Sequence, residues 1–203
     1  MQKIVEKGYN DGDYQQFYRK TDALNKREKR FFNKLLELIP RDATVLDLGS
    51  GTGVPYDKFL VNNGLEVIGI DISSKHVAMA RKNVPSAKYI KADFSRLKFE
   101  AERYNAIISL YAIFHIPREE HANLFEKIHR TLKEDGIILV TMGTEDMKLD
   151  INDFIGSKMA WSSYSLEENK KLVKEAGFKF LLVEEEHEQE NEHHLWILAK
   201  KMI

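Results

Sequence analysis

The 203-residue sequence contains no cysteine. This excludes disulfides, thiolate-held metals and a cysteine nucleophile, and it suits a reducing, cytoplasmic setting. A long apolar run is also missing. The longest nearly apolar stretch, residues 106–116, falls short of the ~18 residues that suggest a membrane span. Residues 1–8 carry no apolar core of the kind a secretory leader needs. Nor is there an excess of one charge: the formal net charge is −1, so nothing global draws the chain to nucleic acid or anionic membrane. Repeats, low-complexity tracts and linkers are absent, and residues 1–203 read as one domain able to bury a full core. Two local biases remain. Arg19, Lys20, Lys26, Arg27, Lys29, Arg30 and Lys34 form a basic segment, and Glu184 to Glu192 is acidic. Both read as solvated faces, one of a helix and one of a hairpin.

From Thr44 onward, short β-branched runs alternate with helical segments. Residues 44–48, 65–71, 87–91, 104–110 and 136–142 are predicted strands. Residues 55–63, 75–83 and 118–133 are predicted helices, the last beginning behind Pro117 with Glu119 and Glu120 at its N-terminus. Near-continuous Val/Ile/Leu strands between such helices imply a parallel sheet covered on both faces. The end of the chain breaks this rhythm. A helix over 166–176 is closed by Gly177, a strand follows at 178–184, and a polar turn leads to a strand at 194–200. Strands joined by a short turn are antiparallel neighbours. The prediction is an α/β, Rossmann-like, seven-stranded, mostly parallel sheet with an antiparallel C-terminal strand and helices on both faces. Residues 1–40 read as an N-terminal helical cap, continuous over 12–39, and residues 144–164 as an insertion.

Between the first strand and the next helix stands Asp47-Leu48-Gly49-Ser50-Gly51-Thr52-Gly53. Glycines there let a ligand lie on bare backbone, and the helix N-terminus offers free N–H groups to an anion. Packing alone can also require such a turn. Asp71 ends the second strand, near the ~20-residue offset at which an acid meets a ribose diol; Ile72 follows it and offers a face to adenine. Asp93 and Phe94 end the third strand, an acceptor for an exocyclic amine beside an aromatic ring. Three successive strand ends thus suit a nucleoside at the carboxyl edge of the sheet.

These residues resemble the class I S-adenosylmethionine-dependent methyltransferases over residues 44–200, and most closely the small stand-alone members of the type 11 group. In that family residues 45–53 correspond to the cofactor turn, Asp71 to the ribose acid and Asp93 to the adenine-side acid. The fourth-strand motif corresponds to residues 104–109 and the fifth-strand entry to residues 132–140. The family usually has Asp where this chain has Asn105, a position that tends to be structural. The resemblance implies S-adenosyl-L-methionine as cofactor, with Leu110, Tyr111, Ala112, Phe114 and His115 lining the transfer cavity. It also implies an early tyrosine, Tyr9 or Tyr18, on the cofactor's methionine part, although both can equally pack a helix on the sheet.

Methyl transfer is an in-line displacement that demands alignment and dryness, and a base only if the acceptor arrives protonated. His115 is either that base or a structural histidine; Tyr111 either faces the sulfonium or packs in the core. Trp161 and Tyr164 are expected to bound an acceptor pocket. His187, His193 and His194 match no metal-ligand spacing and read as a solvated turn far from the cleft, so no metal is expected. The acceptor is a small molecule by exclusion: no recognition domain is visible, and the Asn/Asp-Pro-Pro-aromatic signature is absent after the fourth strand. Two other readings stay open. An NAD-dependent oxidoreductase shares the turn and Asp71, but Val54 occupies its third glycine position. A non-catalytic S-adenosylmethionine-binding module shares the whole site. Oligomeric state is unknown at this level.

Overall fold

Alternation of buried side chains along each strand decides where the helices sit. In the computed structural model, residues 1–12, 22–189 and 192–202 are described. The strands are β1 Thr44–Leu48, β2 Glu66–Asp71, β3 Lys88–Lys91, β4 Tyr104–Ser109, β5 Leu132–Gly143, β6 Met147–Phe154, β7 Ser157–Ser163, β8 Phe178–Gln189 and β9 Glu192–Lys201. The helices are α1 Gln2–Asp11, α2 Lys26–Leu38, α3 Tyr56–Asn62, α4 Ser74–Asn83, α5 His121–Thr131 and α6 Leu166–Glu175. Ile138 and Val140 of β5 face one layer with Phe125, Ile128 and Val173. Ile137 and Leu139 face the other, with Phe31, Phe32, Leu35 and Leu60. Each central strand is therefore apolar on both faces, as a covered parallel sheet requires.

Seven strands form one sheet in the order β3-β2-β1-β4-β5-β9-β8. The pairs β1–β2, β1–β4, β2–β3 and β4–β5 are parallel. β9 runs antiparallel to β5 on one side and to β8 on the other. The closing strand is thus inserted rather than appended, and the sheet has the predicted class. The order reverses at β1, which opens a crevice at the carboxyl ends of β1 and β4.

Several boundaries differ from expectation. The helix expected over 12–39 is interrupted: residues 22–25 are not helical, and α2 starts afresh behind Asn25, while residues 13–21 lie outside the described residues. There the Asn25 side chain accepts from the Glu28 N–H, and the Glu28 carboxylate accepts from the Asn25 N–H, a reciprocal cap that marks a new start. Tyr18 lies outside the described residues. The helix expected over 118–133 is shorter at both ends. Arg118–Glu120 is a 3-10 turn, and Leu132 pairs with Tyr104 as the first residue of β5. A bulge at Asp135, with φ of 61°, absorbs the mismatch in length. Residues 147–163 form a separate antiparallel hairpin of β6 and β7. Its two-residue turn, Ile155-Gly156, has positive φ at both positions, the geometry that matches strand twist. Among the described residues no helix is long and apolar enough to cross a membrane.

The basic and acidic segments are not both simply solvated; they meet. Arg27 donates to Glu184 and Glu186 at 2.9 Å each, and Arg30 pairs with Glu184. Glu186 is buried and also accepts from Trp196 Nε1 at 2.9 Å and the Tyr111 hydroxyl at 3.0 Å. Burial alone would raise the Glu186 carboxyl, but hydrogen bonds from His194, Trp196 and Tyr111 outweigh it and hold it at about 2. A carboxyl depressed on folding stabilises above its unfolded value and loses that contribution as pH falls through the folded one. Urea unfolding at a series of pH values should show stability falling between about 4.5 and about 2. Glu186→Gln should flatten that fall; an unchanged slope would exonerate Glu186.

Candidate functional site

A cleft of about 620 Å³ opens at the carboxyl edge of β1 to β4. Its floor begins with the turn after β1. The N–H groups of Gly49 and Ser50 both donate to Ile70 O, at 2.8 and 3.0 Å, which fastens the turn to β2. Gly49 has φ of 87°, and a Cβ there would come within 2.3 Å of Ala112 Cβ. Only glycine lets the β1 turn and the loop after β4 approach so closely. Asp71 closes the next gap. Its Oδ2 accepts from Gly51 N–H at 2.8 Å and its Oδ1 from Ser73 N–H at 2.7 Å. Asp93 Oδ1 accepts from the Ser95 N–H and hydroxyl at 2.9 and 2.7 Å.

Asp47, Gly49, Ser50, Gly51, Asp71, Ile72, Asp93, Phe94 and Leu110 all line this cleft. Gly53 does not; a Cβ there would meet the Tyr89 hydroxyl at 2.5 Å, so that glycine serves packing. The Ser50 hydroxyl is buried with no hydrogen-bond partner among the described residues. An unmatched donor beside the acids of three strand ends suits a polar nucleoside ligand.

Beneath the turn Asp47 has as neighbour a second carboxyl group that sequence reasoning missed, Asp57. Asp57, in the first turn of α3, is fully buried and accepts from the Tyr89 hydroxyl at 2.9 Å. Burial, reinforced by the nearby Asp57 charge, raises Asp47 well above the usual range. Burial also raises Asp57 to about 6, against hydrogen bonds from Asp47 and Tyr89. Each carboxyl is thereby harder to ionise than an exposed one, and the two titrate as a pair. In the sequence, Asp57 looks only like an acid at a helix N-terminus.

His115 occupies a 3-10 turn after β4, Ile113–His115. Its Nδ1 lies 2.8 Å from Ala160 O; a carbonyl only accepts, so Nδ1 carries the hydrogen. Nε2 then accepts from the Tyr9 hydroxyl at 2.7 Å. Burial lowers the imidazole to about 4, so the ring is neutral at pH 7. Tyr9 and His115 are thereby brought together from 106 positions apart, and both line the cleft. Tyr111, with φ of 55°, presents its ring to the cleft while its hydroxyl turns away to Glu186.

On the insertion side, Trp161 lines the cleft, as do Met147 and Phe154. Tyr164 does not; its ring lies 4.8 Å from the Arg118 guanidinium and beside His121. His193 and His194 correct the reading of a remote turn, for both line the cleft. The reason is topological. Because β9 runs antiparallel to β5, its start lies beside the end of β5, with His194 paired to Gly143. The side chain of His187 lies outside what is described. No group of acids and histidines among the described residues is arranged to hold a metal.

A mostly parallel sheet with an inserted antiparallel last strand is the fold that this chain shares with solved S-adenosylmethionine-dependent methyltransferases. Residues 45–136 match the family model described as "Methyltransferase domain". The chain is similar to sterol 24-C-methyltransferase of Saccharomyces cerevisiae, 24% identical over 169 residues, covering 76% of this chain and 44% of that protein. It is also similar to carboxy-S-adenosyl-L-methionine synthase of Nautilia profundicola, 29% identical over 167 residues, covering 66% and 69%. Among solved structures, magnesium protoporphyrin IX methyltransferase from Synechocystis PCC 6803, with bound S-adenosylmethionine, shares the fold. Its TM-score is 0.72 at 16% identity, with 99% of this chain and 97% of that one covered. The chain spans about half or less of the length of most relatives it matches.

The His115 geometry has a direct spectroscopic consequence. Nitrogen-15 NMR should find a neutral ring protonated on Nδ1 at pH 7, titrating only near 4. Tyr9→Phe should shift Nε2 and cost about 1 kcal/mol of stability. A ring titrating at the ordinary 6.5 would overturn the assignment. Since a histidine lowered on folding binds its proton less readily than the unfolded chain, its contribution is complete above 6.5. That contribution falls away as pH drops from 6.5 toward 4.

Proposed function

We propose that the protein transfers the methyl group of S-adenosylmethionine to a small-molecule acceptor by in-line displacement. The observation that carries this reading is the convergence of the Gly49–Gly51 turn, Asp71, Asp93 and the Tyr9–His115 pair on one cleft. At about 620 Å³ it falls within the ~300–1,000 Å³ typical of small-molecule sites. When bound, the cofactor supplies a methyl group on a positively charged sulfur. In this reading Asp71 accepts from the ribose hydroxyls, while Ile72 and Phe94 cover the adenine and Asp93 takes its amine. The backbone of Gly49 and Gly51 approaches the methionine end, and Tyr9 closes over it. Leu110 and the Tyr111 ring face the transferring methyl.

His115 is assigned here as the anchor of Tyr9. Its Nε2 lone pair is already engaged, so His115 takes no proton from an acceptor directly. Trp161, with the β6–β7 hairpin, is assigned to the acceptor side. The inserted β9, which dinucleotide folds normally lack, favours methyl transfer over hydride transfer. The hairpin lines the cleft without filling it, which favours catalysis over a binding-only module.

Calorimetric titration with S-adenosylhomocysteine tests the reading. Binding is expected, and Asp71→Asn should weaken it at least tenfold, about 1.4 kcal/mol, with the circular dichroism of the fold preserved. Binding of NADH without response to S-adenosylhomocysteine would overturn the proposal.

A further inference from the structure

We infer that the methyl acceptor is a basic amine carried on a flat apolar body, and not an anion; this rests on the donor assignment above. The cleft beyond Leu110 has two aromatic surfaces. One joins Tyr111 and Phe114 through His194, whose ring lies 4.8 Å from the first and 5.4 Å from the second. The other sets Trp161 edge-on to Phe154 at 5.5 Å, with His115 6.0 Å from the Trp161 ring. Two such surfaces suit a planar molecule.

The sign of the lining charges selects among planar molecules. Five acidic side chains line the cleft, and no lysine or arginine does among the described residues. Asp47, Asp71 and Asp93 belong to the nucleoside half. Glu145 and Asp150 belong to the other, where β5 leads into the hairpin. Two arginines flanking the cleft are engaged elsewhere: Arg118 pairs with Asp146 and lies over the Tyr164 ring, and Arg27 is held by Glu184 and Glu186. A carboxylate or phosphate entering the acceptor half would lose water and meet the Glu145 and Asp150 carboxylates, with no lysine or arginine among the described lining residues to pair with it. An ammonium group gains from the acids and the aromatic rings alike on binding. To react, it first gives one proton to the Glu145 or Asp150 carboxylate or to water; the freed nitrogen lone pair then forms the N–CH3 bond as the S–CH3 bond breaks and S-adenosylhomocysteine leaves.

The test separates the two assignments. S-adenosylhomocysteine is titrated first; failure of this step overturns the donor reading on which the inference rests. With that ligand saturating, tryptamine and indole-3-propionate, one ring system with opposite charges, are titrated by calorimetry. Tryptamine should bind at least tenfold more tightly. Equal affinity, preference for the anion, or binding of neither would overturn the inference while leaving the donor reading standing. Glu145→Lys combined with Asp150→Lys should abolish or reverse the preference, with S-adenosylhomocysteine affinity serving as the check on folding. A double variant that still favours tryptamine tenfold would remove these two acids as the cause.

Discussion

Both ring nitrogens of His115 are committed, one to the Ala160 carbonyl and one to the Tyr9 hydroxyl, and those two bonds join the walls of the cleft. The histidine belongs to the loop after β4, Ala160 to the insertion hairpin and Tyr9 to the first helix. Three segments remote in sequence are tied at a single ring. The tie is reinforced where α1 crosses β7: a Cβ on Gly8 would come within 2.6 Å of Lys158 O, so the helix lies directly on the strand's backbone. Asn10 adds a second anchor, accepting from the Ser73 hydroxyl at 2.9 Å at the start of α4. The roof over the glycine turn is therefore held by hydrogen bonds whose partners are buried, where leaving one unmatched is costly.

Burial of acids follows two opposite solutions in this fold. Beneath the turn, burial pushes the Asp47 and Asp57 carboxyls upward, and the neighbouring Asp57 charge pushes Asp47 further. On the far side of Tyr111, Glu186 has donors on several sides and stays ionised. The difference lies in the partners, since burial penalises the charged form in both places. Each solution fixes a wall of the cleft: the first supports the β1 turn, and the second fixes the Tyr111 hydroxyl so that its ring faces the ligand space.

Much of the sheet was legible because buried parallel strands write themselves as Val/Ile/Leu runs, and four of these lie between Thr44 and Met142, with the edge strand β3 the weaker fifth. The glycine turn, Asp71 and Asp93 were legible too, since each follows a strand end and parallel strands bring such ends to one edge. The boundaries of α2 and α5 were not. A cap at Asn25 competes with an unbroken helical pattern, and Leu132 reads equally well as the last residue of a helix or the first of a strand. Tyr164 was assigned to the pocket because it follows Trp161 in an aromatic run, yet Arg118 takes its ring instead.

What the sequence determined by itself is local: the strand and helix types, the turn with backbone open to a ligand, and the acids placed directly behind strands. What tertiary structure decided is every relation across the sheet. Whether His193 and His194 stand at the cleft or far from it depends on the direction of β9, and that direction follows from its insertion between β5 and β8. Which ring nitrogen of His115 carries the hydrogen depends on Ala160 and Tyr9, neither of which is near it in the chain. Whether the basic and acidic segments face solvent or one another depends on α2 packing beside β8. Short-range pattern reports what a residue is suited to become; the partner that completes it is supplied by chain folded back from a hundred positions away.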